Sequence, residues 1–415
     1  MHVRGTRLVA VSGLAMLGLF MPVATTGASA EEGKGRAVAP LHRAGEAPVI
    51  PGRYIVVMER RSTPKDRADA QRQAVGHGGR VSAEYKAALT GFAAALPERA
   101  VDALRRNPHV TYVEADAAVQ GQGTQSGAPW ALDRIDQRSR PLNSSYRYDQ
   151  TGAGVTAYIL DSGIRRHHTQ FGGRVAAGFT AIRDGRGTRD CNGHGTHVAG
   201  TVGAKRYGVA KGVTLRPVRV LNCRGSGSLS GILAGIDWVT SHHTPSRPAV
   251  ANMSLGGQPS STLDRAVNNS IRDGVTYVLA AGNDNRDACD YSPGRVSAAV
   301  TVGATTKSDA RSAFSNKGSC VDLFAPGSAV TSTWSSGNRA TKTLSGTSMA
   351  APHVAGAAAL MLQQDPSATP AVVKQALLES TTTGVVTNRG IGSPNRLLFS
   401  RALLQPPPPP ADGTS

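Results

Sequence analysis

The amino-acid sequence predicts an α/β protein: a doubly wound domain on a mainly parallel sheet flanked by helices, preceded by a small α+β unit. Three observations carry this. Beyond Trp130 the apolar residues fall in near-continuous runs, Val155 to Leu160, Val213 to Leu221, Ala249 to Leu255 and Val275 to Ala281. Such runs suit strands buried on both faces, as in a parallel sheet covered by helices. Helical patterns lie between or after them, at about His197 to Gly203, Ser230 to His242, Ser261 to Arg272 and Thr347 to Gln363. Alternation of this kind is how a doubly wound sheet reads. From about Pro51 to Asp116 the texture differs, with short strands and polar helices in turn.

In chain order, Arg4 and Arg7 precede an apolar run from Leu8 to Val23, and Ala28-Ser29-Ala30 offers small residues at a cleavage site. Residues 1–30 therefore read as a signal peptide, which makes the product secreted and extracellular. A membrane anchor is the weaker reading, because the run is short and no other stretch could span a bilayer. Residues 31–122 precede the α/β domain and contain a small α+β domain at about 51–118. Arg53 to Met58 reads as a strand, Lys65 to Val75 as a helix and Gly91 to Leu96 as a strand. Glu98 to Arg106 reads as a second helix and Val110 to Val113 as a further strand. The polar, Gly-rich stretch Gln120 to Gly127 reads as an exposed linker open to processing. The α/β domain occupies residues 123–404. A tail of prolines and polar residues, 405–415, reads as a spacer.

The chain of 415 residues is basic, with 46 Lys and Arg against 28 acids and a formal net charge of +18. Its basic residues are scattered with few aromatics among them, so no stacking platform for nucleic acid is evident. A nucleic-acid partner is not expected, and a monomer is. All four cysteines, Cys191, Cys223, Cys289 and Cys320, lie beyond residue 190. Export permits disulfides, and four cysteines allow three pairings between which spacing does not choose.

Three segments set a reactive residue beside glycine. In Tyr158-Ile159-Leu160-Asp161-Ser162-Gly163 an acid leaves the C-terminal end of a buried strand, the edge of an open α/β sheet where ligands bind. In Asn192-Gly193-His194-Gly195-Thr196-His197 the glycines leave His194 unobstructed at a helix start. His194 and His197 lack the intervening acid of a zinc HExxH motif, and His197 reads as a core residue. His167 and His168 read as solvated loop residues. In Ser345-Gly346-Thr347-Ser348-Met349-Ala350 a serine opens a buried helix, and Pro352 is tolerated by lying near its start. The Ser348 backbone N–H is unpaired there and can donate to a developing oxyanion. Taken singly, each segment also has an ordinary structural reading: strand end, core histidine, N-cap serine.

Together, Asp, His and Ser in that order on an α/β sheet follow the subtilisin order, which chymotrypsin and the α/β-hydrolases do not share. A hydrolase elbow, GxSxG, is also excluded, because Ala350 stands where its second glycine belongs. The chain resembles subtilisin-like serine proteases, nearest to the proteinase K and aqualysin branch, over roughly Gln125 to Leu404. Its earlier α+β unit resembles the family's inhibitory propeptide. The resemblance implies a Ser348 nucleophile, a His194 base, an orienting Asp161 and Asn283 as the second oxyanion donor. It sets Gly225, Ser226 and Gly227, with Ser254, Leu255 and Gly256, on either side of a bound peptide. Ala280, Ala281 and Gly282 would line a roomy pocket for large apolar or aromatic side chains before the cut.

The same resemblance implies the bridges Cys191–Cys223 and Cys289–Cys320, and structural calcium. Asp133, Asp136, Gln137, Asn143 and Ser145 would form one oxygen cage. Asp322, with the carbonyls near Ser297 and Ala299, would form another. The expected protein is thus a zymogen whose partners are protein and peptide substrates and its own propeptide. A metallohydrolase using His194, His197 and a carboxylate is the rival chemistry. A non-enzymatic homologue would need a broken triad, and this triad is whole.

Overall fold

The computed structural model describes residues 38–43, 49–117 and 123–401, which divide into two compact units, 38–117 and 123–401. The expected signal peptide, the expected processing region around Gln122 and the proline-rich tail lie outside the described residues.

The first unit is a five-stranded sheet in the spatial order Leu41–Arg43, Val110–Ala117, Val49–Met58, Gly91–Ala95, Arg80–Tyr85, antiparallel except for the first pair. Helices Pro64–Gly76 and Glu98–Arg105 supply Ala70, Ala74, Ala100 and Leu104 to a core with Val56, Phe92 and Val113. Thr63 and Asp66 close the first helix with a reciprocal capping box, which satisfies two otherwise unpaired backbone donors. Two strands escape a sequence reading. Arg80–Tyr85 is mostly exposed, and Leu41–Arg43 is too short to show a period.

The second unit is built on strands β1 (Thr156–Asp161), β2 (Thr214–Arg219), β3 (Ala249–Met253), β4 (Thr276–Ala280), β5 (Val300–Thr305) and β6 (Leu323–Pro326). These six pair in parallel in the order β6-β5-β4-β3-β1-β2. Short strands extend both edges, Phe179–Thr180 beside β2 and Arg396–Leu397 with Thr382–Thr383 beside β6. Chain order reverses at β1, so the β1/β3 crevice is the switch point where such sheets bind ligands.

Along β1, Ala157 and Ile159 face one core while Tyr158 and Leu160 face the other. That two-sided burial is why its sequence is apolar throughout rather than alternating. Helices α1 (His194–Gly203), α4 (Thr347–Gln364) and α5 (Pro370–Glu379) cover the first face, and α2 (Leu229–His242) and α3 (Ser261–Arg272) the second. Their starts are chemically marked. Ser228 caps α2 through the Gly231 N–H, Ser260 caps α3, and Thr369 with Pro370 opens α5.

Residues 123–126, expected as linker, form instead a strand paired antiparallel with Ser145–Tyr148. Its affinity is polar, which hydrophobic period does not register: Lys211 Nζ donates to Gln125 Oε1 at 2.6 Å while lying over the Tyr146 and Tyr148 rings. His168, expected in solvent, is 2% exposed and accepts the Gln170 N–H, whereas His167 is exposed. The disulfides are Cys191–Cys223 and Cys289–Cys320.

Candidate active site

Asp161 is the last residue of β1 and fully buried. His194 opens α1, and its Nδ1 lies 2.9 Å from both Asp161 carboxylate oxygens. Glycine on each side of His194 has a steric reason. A Cβ at Gly193 (φ 110°) would lie 2.3 Å from the Trp334 ring, and one at Gly195 would lie 2.2 Å from the Gly163 carbonyl oxygen. Burial lowers the His194 pKa, but the Asp161 charge and hydrogen bond, with Asp190 beyond, outweigh it and leave the imidazole more basic than usual.

Asp190 went unnoticed in the sequence although it organises this turn. Its Oδ1 accepts the Ser162 hydroxyl and the Asn192 and Gly193 amides, and its Oδ2 accepts the Thr196 amide and hydroxyl. The signal was an Asp two and three residues before Asn and Gly, the pattern of an Asx turn. His197, by contrast, is a core histidine. Its Nε2 donates to the Val330 and Lys342 carbonyls, and burial holds it down to about 4 and neutral.

Ser348 is the second residue of α4, half-buried, with no acceptor for its backbone N–H among the described residues. Its hydroxyl donates to the Ser254 carbonyl at 3.2 Å. Pro352 is the sixth helical residue, deeper than the start, and the N–H it lacks would have bonded the Ser348 carbonyl. The Ser254 hydroxyl takes that place at 3.0 Å and accepts in turn from Asn252 Nδ2 at 2.8 Å. A residue expected to bind substrate therefore also repairs the helix that carries Ser348.

Asn283 is exposed, yet its amide is oriented. Oδ1 accepts both the backbone N–H and the hydroxyl of Thr347, at 2.8 and 3.0 Å, which leaves Nδ2 as the outward donor. The two nitrogens are neighbours: Asn283 Nδ2 and Ser348 N lie 3.8 and 3.6 Å from the place a Cβ on Gly346 would take. Next to them is a cavity of about 330 Å³ lined by Leu255, Gly256, Ala280, Ala281, Gly282, Asn283 and Ser348. Tyr291, Ser292 and Gly294 complete its wall. They had no sequence signal, since a loop after β4 folds back to reach the cavity. Gly225, Ser226 and Gly227 do not line it. They sit on a separate exposed loop, tied to the His194 turn by Cys191–Cys223 and by Asn192 Nδ2 on the Cys223 carbonyl.

The first proposed oxygen cage has unmet acceptors. Asp136 Oδ1 and Gln137 Oε1 are buried without a hydrogen-bond partner among the described residues, and burial, followed by the Asp133 charge, lifts the Asp136 carboxyl to about 6 against the Arg147 amide. Asp133 accepts the Asn143 and Ser144 amides, and Asn143 Oδ1 accepts the Ser145 amide and hydroxyl. Unsatisfied oxygens of this kind fit a hard cation. The second set, Ser297, Ala299 and Asp322, is also brought together, but around the ammonium of Lys374. Asp184 with Cys191 and Cys223 forms a third cluster without metal-binding capacity: both sulfurs are bridged, and Arg219 holds both Asp184 oxygens at 2.8 and 2.6 Å.

Comparison with known proteins identifies the family. The Subtilase family model matches residues 152–397, and the Peptidase inhibitor I9 model matches residues 53–122. An extracellular serine proteinase of Thermus sp. (strain Rt41A) is 54% identical over 375 residues, covering 86% of this chain and 91% of that protein. Alkaline serine exoprotease A of Vibrio alginolyticus is 48% identical over 366 residues, covering 85% and 68%. The crystal structure of a cold-adapted subtilisin-like serine proteinase superposes with a TM-score of 0.65 at 52% identity, covering 67% of this chain and all of that one.

Proposed function

The chain belongs to the subtilase family of serine endopeptidases and carries an I9 inhibitor domain ahead of its catalytic domain, and from this we propose that it is a secreted protease, made as a zymogen, with Ser348, His194 and Asp161 as its triad. The observation that carries the assignment is His194 Nδ1 held 2.9 Å from both oxygens of buried Asp161. That contact keeps the proton on Nδ1, so Nε2 presents its lone pair. A rotation about the Ser348 Cα–Cβ bond turns its hydroxyl from the Ser254 carbonyl toward His194. Nε2 then takes the proton as Oγ attacks the scissile carbonyl. Asp161 stabilises the imidazolium without taking the proton. Ser348 N–H and Asn283 Nδ2 receive the oxyanion, with Thr347 fixing the Asn283 amide. His194 returns its proton to the leaving amine, and water attacks the acyl-enzyme by the same route.

Family membership supports substrate binding by strand addition along residues 225–227 and 254–256, where backbone contacts tolerate many sequences. The small side chains of Ala280, Ala281 and Gly282 favour a large apolar or aromatic residue before the cut. A peptide library with a strong preference for Arg or Glu there would refute this. Residues 1–30 act as signal peptide and 31–122 as propeptide, with residues 123–404 as the enzyme. The extracellular relatives support the export reading. Asp136 and Gln137, with Asp133, Asn143 and Ser145, would hold a calcium ion, whose charge would satisfy their unpaired oxygens.

Phosphonate labelling of the secreted protein followed by mass spectrometry tests these assignments together. We expect modification at Ser348 alone, an N-terminus near residue 123 and no free thiol. Modification at another serine, or chelator-sensitive activity that the phosphonate leaves intact, would overturn the triad and favour a metallohydrolase.

A further inference from the structure

At the N-terminal ends of β5 and β6, behind the segment that supplies the cavity wall, the chain holds an internal cation that the family resemblance did not foresee. Lys374 projects from α5, and its Nζ lies 2.8 Å from the Ser297 carbonyl, 2.7 Å from the Ala299 carbonyl and 2.8 Å from Asp322 Oδ1. An ammonium has three N–H donors, and here each finds an oxygen at the short distance of a charge-assisted bond. Asp322 is itself fixed: its Oδ2 accepts the Thr301 amide at 2.8 Å and its own amide donates to the Thr301 carbonyl. Lys374 and Asp322 side chains are 18% and 20% exposed, so water competes little.

We propose that Lys374 is a tethered substitute for a divalent cation, and that the oxygens of Ser297, Ala299 and Asp322 do not bind calcium in this protein. Calcium takes six to eight oxygens at about 2.3–2.6 Å, waters among them, so what excludes it here is the ammonium seated at the centre of the oxygens. Three protein oxygens converge here, and the ammonium among them repels a second cation while neutralising the one carboxylate. The tether is placed to matter. Ser297 and Ala299 continue the segment that bears Tyr291, Ser292 and Gly294 of the cavity wall, and Thr301 Oγ1 binds the Gly294 carbonyl at 2.7 Å. Lys374 thereby pins the wall to α5 by a covalently supplied charge, and this end of the pocket is indifferent to chelators.

The test is calcium stoichiometry, by equilibrium dialysis against calcium chloride with elemental analysis, together with apparent melting temperature. Asp322→Asn should bind as many calcium ions per chain as the unaltered enzyme. Lys374→Met should bind one more, lose it again in the Lys374→Met/Asp322→Asn double variant, and acquire a melting temperature that EDTA lowers and calcium restores. One fewer ion in Asp322→Asn, or no added ion in Lys374→Met, would overturn the proposal. Should Lys374→Met fail to fold, the Asp322→Asn comparison decides alone. None of these readouts depends on catalysis, so they stand apart from the triad assignment.

Discussion

Replacing Ser254 by alanine should destabilise the catalytic unit through a helix it does not belong to. The Ser254 hydroxyl donates to the Ser348 carbonyl, left without a partner by Pro352, and accepts from Asn252 Nδ2. Alanine orphans both. A buried unsatisfied polar group costs about 1–3 kcal/mol; taking the lower half of that range, since Ser348 is only half-buried, gives about 2–4 kcal/mol for the pair. At this size a kcal/mol is worth about 2 °C, so the apparent melting temperature should fall by about 4–8 °C. The diagnostic variant is Pro352→Ala, which restores an N–H aimed at the Ser348 carbonyl. Alone it should change stability by less than about 1 kcal/mol, because Ser254 already fills the place. Combined with Ser254→Ala it should recover about 1–2 kcal/mol, a coupling readable from a double-mutant cycle. Calorimetry of phosphonate-inactivated enzyme at one scan rate avoids self-digestion and keeps the four variants comparable. A fall below about 2 °C, or strictly additive effects, would refute the account of Pro352.

Three further outcomes are expected. Asp161→Asn should lower kcat by on the order of 10⁴-fold, the size known for such triads in general, including subtilisin's own, and not one worked from these distances. Because Asp161 raises the His194 pKa against the lowering effect of burial, the acid limb of its residual pH–rate profile should also move to lower pH. His197 and His353 are buried and held down to about 4 from an ordinary 6.5, so the unfolded chain binds more protons than the folded one between those values. Stability should therefore fall as pH drops from 6.5 toward 4, by up to about 3 kcal/mol per histidine, and His353→Gln should flatten a plot of melting temperature against pH. Removing Cys289–Cys320 as a serine pair should cost about 3–4 kcal/mol, since the bridge closes a separation of 31 residues; unchanged thermal inactivation would refute this.

Much of this protein is readable from one dimension because its signals are local. Apolar runs announce β1, β3 and β4 since a parallel strand is buried on both faces, and Ser261–Arg272 coincides with α3 because Ser260 caps it. Asp161, His194 and Ser348 each stand within two residues of a glycine, at a strand end or a helix start, and their order along the chain is itself a signature. Residues 123–126 were misread because a polar edge strand is held by backbone pairing and by Lys211, neither of which leaves a period.

What the tertiary structure alone decided are the partnerships between distant positions. The bond from Ser162 to Asp190, Ser254 as the surrogate donor for Pro352, and Tyr291 to Gly294 as the far wall of the pocket depend on how loops after separate strands meet. So does Lys374, which arrives from α5, 75 and 77 positions along the chain from the carbonyls it binds. A motif tells which oxygens could gather around a cation, but only packing determines what charge reaches them first. Sequence determined the chemistry available at the β1/β3 edge; the fold decided that a cation site at the other end of the sheet is filled from within, because a helix set an ammonium where three oxygens meet.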